Sequence, residues 1–474
     1  MPGERTGPVP GEQAPAAGPG QPGWRGRTTR LAVAAGSWPV LAAASLAGSG
    51  LGFANKAACW DGAWNGYLTQ FQAHCYTDIY PLYFTERLAS GQVPYTGHPV
   101  EYPVLIGSAM QAAAWLVRPL PGGQVAHGHA FFLATVIMLA AFALAGVLAT
   151  AAVAGRARRW TALLVALAPG LVLASFINWD LIAMSITALA MAAWAVRRHL
   201  LAGVLLGLAV ATKFYPVLLL GPLLLVCLRA GRMRDYWTAA GSAAVAWLVV
   251  NLPVAIAAPA GWGRFYALSD RRPADWGSIW YFFQTEHWPG LGTGSTGSLN
   301  VMSLVVFGLA CAGIGALILA APRRPRLPQV YFLVLAAFLL TNKVWSPQYV
   351  VWLVPLAVLA RPRLLSYAVW QLTEVGYFFA IWAYLITVSV SGPSGSLGGI
   401  APGAYFAALL ARFVAVLLLC ALVVRDVLVP EADVVRSGGE DDPAGGVLSG
   451  APDRVRLRPW REPGLSVAVP GQSP

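Results

Sequence analysis

Apolar runs dominate the middle of this chain, and polar residues interrupt them at short intervals. Between Leu31 and Val424, Ala, Leu and Val gather in blocks near 31–54, 129–153, 160–176, 180–196, 238–258, 301–321, 328–341, 347–360, 364–390 and 403–424. Several blocks reach or approach the roughly 20 apolar residues that cross a bilayer core. Each is predicted to be a helix, because in lipid a helix satisfies its own backbone and an open sheet edge does not. Residues 200–228 need another reading. Arginines flank them on both sides, so the chain enters and leaves from one face, yet 29 residues are too few for two full crossings. Two short helices meeting at Lys213-Phe214-Tyr215-Pro216 fit, with Pro216 marking the break. Such a break is tolerated where it lines a wet cavity enclosed by protein.

Composition sharpens this pattern into a class. The chain has 474 residues, 57% hydrophobic and only 11% charged, and half of its 20 acids lie in the two tails. A soluble protein carries roughly a quarter charged residues, so this is a polytopic membrane protein. The net charge of +12 comes from arginines grouped between apolar runs: Arg156, Arg158 and Arg159; Arg229, Arg232 and Arg234; Arg323, Arg324 and Arg326; Arg361 and Arg363. That grouping follows the positive-inside rule, and it argues against nucleic acid as a partner. With these clusters placed in the cytoplasm, the fold class is all-α, with about twelve transmembrane helices and both termini cytoplasmic. Residues 55–128 then form a long first outer loop, with 101–118 as an interfacial helix. A full crossing there would put Arg156, Arg158 and Arg159 outside. Residues 1–30 and 425–474 are rich in Pro, Gly and charge, and are expected to be disordered cytoplasmic tails around a domain spanning 31–424. The first apolar run begins late and lacks a clear cleavage site, so it is expected to be a retained helix.

In this topology the polar residues of the middle region collect on the outer face. They include Asp61, Asp78, Glu86, Arg87, Glu101, Asn178, Asp180, Asn342 and Gln348, together with all three lysines, Lys56, Lys213 and Lys343. Cations placed against the positive-inside tendency suit an outer cavity that handles an anion. Cys59 and Cys75 fall in the same outer loop, where an oxidising compartment would join them. Cys227, Cys311 and Cys420 fall in apolar helices.

The order Asp78, then Gly91-Gln92-Val93-Pro94-Tyr95, Glu101-Tyr102-Pro103, Lys213-Phe214-Tyr215-Pro216 and Ser346-Pro347-Gln348-Tyr349 resembles glycosyltransferase family 87. The resemblance covers roughly residues 31–424. It implies a GT-C type, polyprenyl-phosphate-mannose-dependent mannosyltransferase of actinobacteria. It also implies a catalytic acid in the first outer loop and a lipid-phosphate sugar donor in a groove open to the outer leaflet of the plasma membrane.

Chemistry at these residues is consistent with such a transfer. An acceptor hydroxyl on a lipid or glycan needs a general base, and Asp78 is the candidate, with Asp61 its rival. A leaving lipid phosphate needs cations, for which Lys213 and Lys343 stand beside local breaks. Substrate contacts are expected from Glu86, Arg87, Tyr95, Glu101, Tyr102, Asn178, Asp180, Tyr215, Asn342 and Gln348. Each also has a structural reading: Asp78 or Glu101 as a helix cap, Glu86 and Arg87 as loop pairs, the lysines as snorkelling side chains. Glu374 lies mid-span, where an acid is a functional hypothesis by default. His127 and His129 lack further ligands at zinc spacing, so no metal and no cofactor are expected. The competing class is a transporter or flippase of an anionic or lipid-linked substrate, which would show matched halves around a midplane site. Polyprenyl-phosphate arabinose is the alternative donor.

Overall fold

The computed structural model describes residues 32–60, 68–291, 294–390 and 392–457. Among them the chain is helical, without a strand. The first helix, α1, runs Trp38–Trp60. The segment after it contributes α2 (Ile79–Thr85) and α3 (Val104–Val117), followed by the long α4 (Gln124–Ala154). The middle of the chain supplies α5 (Pro169–Ala174), α6 (Asp180–Ala195), α7 (His199–Thr212), α8 (Leu220–Ala230), α9 (Met233–Ala257), α10 (Pro259–Arg271) and α11 (Ile279–Thr285). The remainder are α12 (Thr296–Ala320), α13 (Leu327–Thr341), α14 (Val350–Ala360), α15 (Leu364–Ser389) and α16 (Pro402–Leu428).

Among the described residues, α4, α9, α12, α15 and α16 are long and apolar enough to cross a membrane. Six more apolar helices are 10–17 residues long. They include the pair His199–Thr212 and Tyr215–Ala230, which meet at the break expected from Lys213 to Pro216. Two elements differ from expectation. The run 160–176 is not one helix: a 3-10 stretch Arg156–Ala162 and a short turn of helix precede α5. Pro169 explains the break, since Ala168 before it takes a non-helical conformation. Residues 55–60, placed in the loop from sequence, continue α1, because no Gly or Pro stops them.

Small residues set how closely the helices approach. A side chain added at Gly203 or Gly207 of α7 would come within 2.1 Å of the Ala239 carbonyl and 2.2 Å of the Ala243 carbonyl of α9. Gly48 and Gly52 of α1 likewise lie 2.2 Å and 2.9 Å from the carbonyls of Ala166 and Val172, measured from where a Cβ would sit. Both are small-xxx-small contacts, in which two backbones pack almost directly. At the centre, every residue of α14 is buried, and most of α13. At the edge, α12 buries only Leu299, Gly315 and Ile318. Its apolar outer surface, with that of α9, is far larger than water tolerates and suits lipid.

The chain after α16 is packed, not free. Residues 429–457, expected to belong to a tail, thread across the arginine-bearing helix ends and bond to them through Asp433, Asp442 and Asp453. The acids that looked like solvating charge are partners for the arginine clusters.

Candidate active site

Asp78 is positioned by main-chain contacts between the loop after α1 and the broken segment before α6. Its N–H donates to the Ile177 carbonyl at 2.7 Å, and the Thr77 hydroxyl donates to the Phe176 carbonyl at 2.7 Å. The disulfide between Cys59 and Cys75 ties the same loop to the end of α1. The Tyr76 ring stacks on Trp382 of α15, centroids 4.8 Å apart, and aims its hydroxyl at Asp78 Oδ1 at 2.7 Å. The Tyr102 hydroxyl reaches Asp78 Oδ2 at 3.4 Å. Beside them Lys213 Nζ lies 2.8 Å from Asp180 and 4.9 Å from the centre of the Tyr102 ring. The Asp180 N–H donates to Asn178 Oδ1, and Trp179 meets Tyr102 edge-on. Tyr215 and Tyr349 stack on the two sides of Trp352, at 4.4 Å and 3.9 Å. Asp78, Tyr76, Glu101, Lys213 and Tyr349 each keep part of their surface open. Acids, cations and aromatic rings thus meet around Asp78.

The surroundings change the proton affinity of the acid. Asp78 is pushed up to about 6: loss of water contact dominates, Glu101 and Asp180 add to it, and the Tyr76 hydrogen bond and Lys213 oppose it. An acid near 6 is still ionised at neutral pH, yet accepts a proton more readily than a solvated carboxylate. Tyr76 and Tyr102 are held well above the usual phenol range and remain donors.

Other predicted residues have their own places. The Tyr95 hydroxyl donates to the Pro103 carbonyl at 2.7 Å, from a backbone in the left-handed region (φ 71°), and so braces Glu101 and Tyr102. Glu86 is buried 3.5 Å from His98, and Arg87 is exposed on the same loop. Lys343 Nζ donates to the Asp270 carbonyl at 2.9 Å and to Asn300. Asn342 accepts from the Val344 N–H, and Gln348 is half-buried at the start of the short turn before α14. Glu374 is neutralised inside the bundle by Arg412 at 3.1 Å and by the Trp370 indole at 2.9 Å. Asp61 lies outside the described residues.

Three residues were missed. Tyr76 is not among the substrate contacts expected from sequence, yet its hydroxyl bonds Asp78. Arg272 and Asp275, 3.7 Å apart, stand on the loop after α10, and Asp275 is tied to Ser346 and, through its N–H, to the Lys343 carbonyl. Burial opposes the Arg272 charge, but Asp275, Tyr349, Glu101 and Tyr102 outweigh it and raise its proton affinity. This guanidinium therefore sits among the groups that surround Asp78. The sequence held one hint: Arg271 and Arg272 fall in a segment that the arginine topology places outside.

Residues 112–347 match the model of glycosyltransferase family 87. The chain thus carries a family 87 domain, and the coarse activity that follows is that of a membrane glycosyltransferase, working on a sugar donor and an acceptor beside membrane lipids. The family 87 segment holds Asn178, Asp180, Lys213, Tyr215, Asn342, Lys343 and the newly found Arg272 and Asp275. Asp78, Glu101 and Tyr102 precede it and Gln348 follows it. No curated protein matches the chain.

Proposed function

We propose that this protein moves a mannosyl residue from a polyprenyl-phosphate donor to a hydroxyl of a lipid or glycan acceptor, on the outer face of the plasma membrane. The observation that carries the reading is the half-buried Asp78 carboxylate, with a raised proton affinity, grouped with Lys213 and, across Glu101 and Tyr102, with Arg272. Asp78 takes the proton of the acceptor hydroxyl. The acceptor oxygen forms a bond to the anomeric carbon of the sugar. The bond from that carbon to the phosphate oxygen breaks, and its electron pair stays on the polyprenyl phosphate. Lys213 and Arg272 offset the negative charge that develops there, as charge-assisted donors in a site with little water. The partly open rings of Tyr76 and Tyr349 suit a sugar ring.

In the full reading the chain has a GT-C arrangement of about twelve crossings, with the arginine clusters and both termini cytoplasmic. The apolar outer surfaces of α9 and α12 support a lipid-linked donor, because they place lipid next to the loop that carries Arg272.

The test is transfer by purified protein in liposomes from radiolabelled polyprenyl-phosphate-mannose to membrane-extract acceptors. Asp78→Asn is expected to lose about 100- to 10,000-fold in turnover, the usual effect of removing one general base. Parental turnover in Asp78→Asn would overturn its role. Label transferred only from polyprenyl-phosphate arabinose would overturn the choice of sugar.

A further inference from the structure

The acids of the C-terminal segment meet the arginine clusters in a defined pattern. Arg326 donates to both oxygens of Asp433, at 2.7 Å and 3.1 Å, and both side chains are almost fully buried. The same guanidinium donates to the carbonyls of Leu359 and Ala360, at 2.9 Å and 2.7 Å. These are the last carbonyls of α14, which no helical N–H can reach. Arg229, near the end of α8, donates to Asp453 at 2.6 Å, and its own carbonyl accepts from the Arg454 N–H at 2.7 Å. At the end of α6 the Trp194 indole donates to the Gly445 carbonyl at 3.0 Å. The strap from 430 to 457 thus holds the terminal turns of α6 and α8 directly, and that of α14 through Arg326.

Those same helices begin at the site. Asp180 opens α6. Tyr215 opens the 3-10 turn that runs into α8, two residues after Lys213. Tyr349 closes the 3-10 turn that runs into α14. Each helix is thus held at one end by the strap and carries a site residue at the other. Along α6 the separation from Asp180 to Trp194 is roughly 21 Å, at about 1.5 Å per residue. Short helices of this kind are stiff, so a shift at one end is delivered to the other.

We infer that the strap is a positioning element for the site: it sets the register of α6, α8 and α14, and so the placement of Asp180, Lys213 and Tyr349 around Asp78. Its own residues touch no substrate. The strap's grip on the helices is independent of which sugar is moved, while its effect on turnover rests on the proposed transfer.

The experiment uses the full chain in lipid nanodiscs, with Asp433→Asn and Asp453→Asn. Both keep shape and remove the charge. Hydrogen exchange is followed in peptides covering 178–181, 213–216 and 346–350, with α1 as reference, beside transfer from polyprenyl-phosphate-mannose. The expected result is about tenfold faster exchange in the three site segments, with α1 unchanged, as local opening becomes easier. Turnover should fall several-fold with a smaller change in donor KM. Faster exchange confined to the strap would overturn the inference, and so would faster exchange shared equally by α1. Asp453 is partly exposed, so its variant decides the matter if Asp433→Asn does not fold. If the parental protein transfers no sugar, the proposed function fails, while the exchange pattern still decides the role of the strap.

Discussion

At the scale of single residues, Asp78 is controlled by one hydrogen bond that can be removed cleanly. The Tyr76 hydroxyl favours the ionised carboxylate and holds its pKa down against burial. Tyr76→Phe keeps the stack on Trp382 and deletes the donor. The Asp78 pKa then rises above about 6, and a base must be ionised to act. The acidic limb of kcat/KM therefore moves to higher pH, while the rate at pH 8 falls far less than at pH 6. An unmoved limb would remove Asp78 from the role of base. The cations separate in the same way. Arg272→Met and Lys213→Met are expected to lower turnover by more than tenfold, since each removes charge from the group around Asp78 and keeps an apolar stem. Lys343→Met should act mainly on stability, because its ammonium is bound to the Asp270 carbonyl and Asn300. Loss of turnover in Lys343→Met alone, with normal unfolding, would return the phosphate to Lys343.

At the scale of elements, the loop after α1 is stapled to the end of that helix. The Cys59–Cys75 bridge spans a sequence separation of 16, worth about 3 kcal/mol in the chain-entropy account. Unreduced, denatured protein is expected to take up alkylating label on Cys227, Cys311 and Cys420 only, and on all five cysteines after reduction, as counted by mass. Five labels without reduction would refute the bridge. The bridge was legible because only two cysteines lay outside the apolar runs. The broken segment before α6 was less legible. Its hydropathy reads as a span, and only Pro169 shows the interruption. The carbonyls of Phe176 and Ile177 are free to hold Thr77 and Asp78 because α5 ends at Ala174, ahead of them, and α6 starts only at Asp180.

For the molecule as a whole, the arginine clusters are joined by the strap into one network. Arg326 lies at its centre, bonded to Asp433 and to the end of α14. Arg326→Met leaves Asp433 buried without its charge partner, which commonly costs about 3–5 kcal/mol. A drop of that size should appear as a lower unfolding midpoint in detergent. The Arg323→Met variant, whose pair with Asp441 is half exposed, should change it little. Equal midpoints for the two variants would show that the buried pair does not hold the bundle.

Hydropathy alone determined that the chain is helical and suited to a membrane. It also located the break after Lys213, because the lipid core tolerates few charges and few chain reversals, so that each leaves a mark on the sequence. It gathered Asp78, Glu101, Asp180 and Lys213 into one polar set together with Glu86, Arg87 and Lys343, since polar residues are scarce enough here to be conspicuous. Tertiary structure decided the rest. Only packing shows that Lys343 turns toward Asn300, that Arg272 enters its place beside Glu101 and Tyr102, and that acids after residue 425 face arginines up to about three hundred positions earlier in the chain. Local composition describes those acids as solvated, because charge is ordinarily disposed toward water. Their partners are chosen by the ends of helices far away in sequence, and no period or motif records which ends the fold brings together.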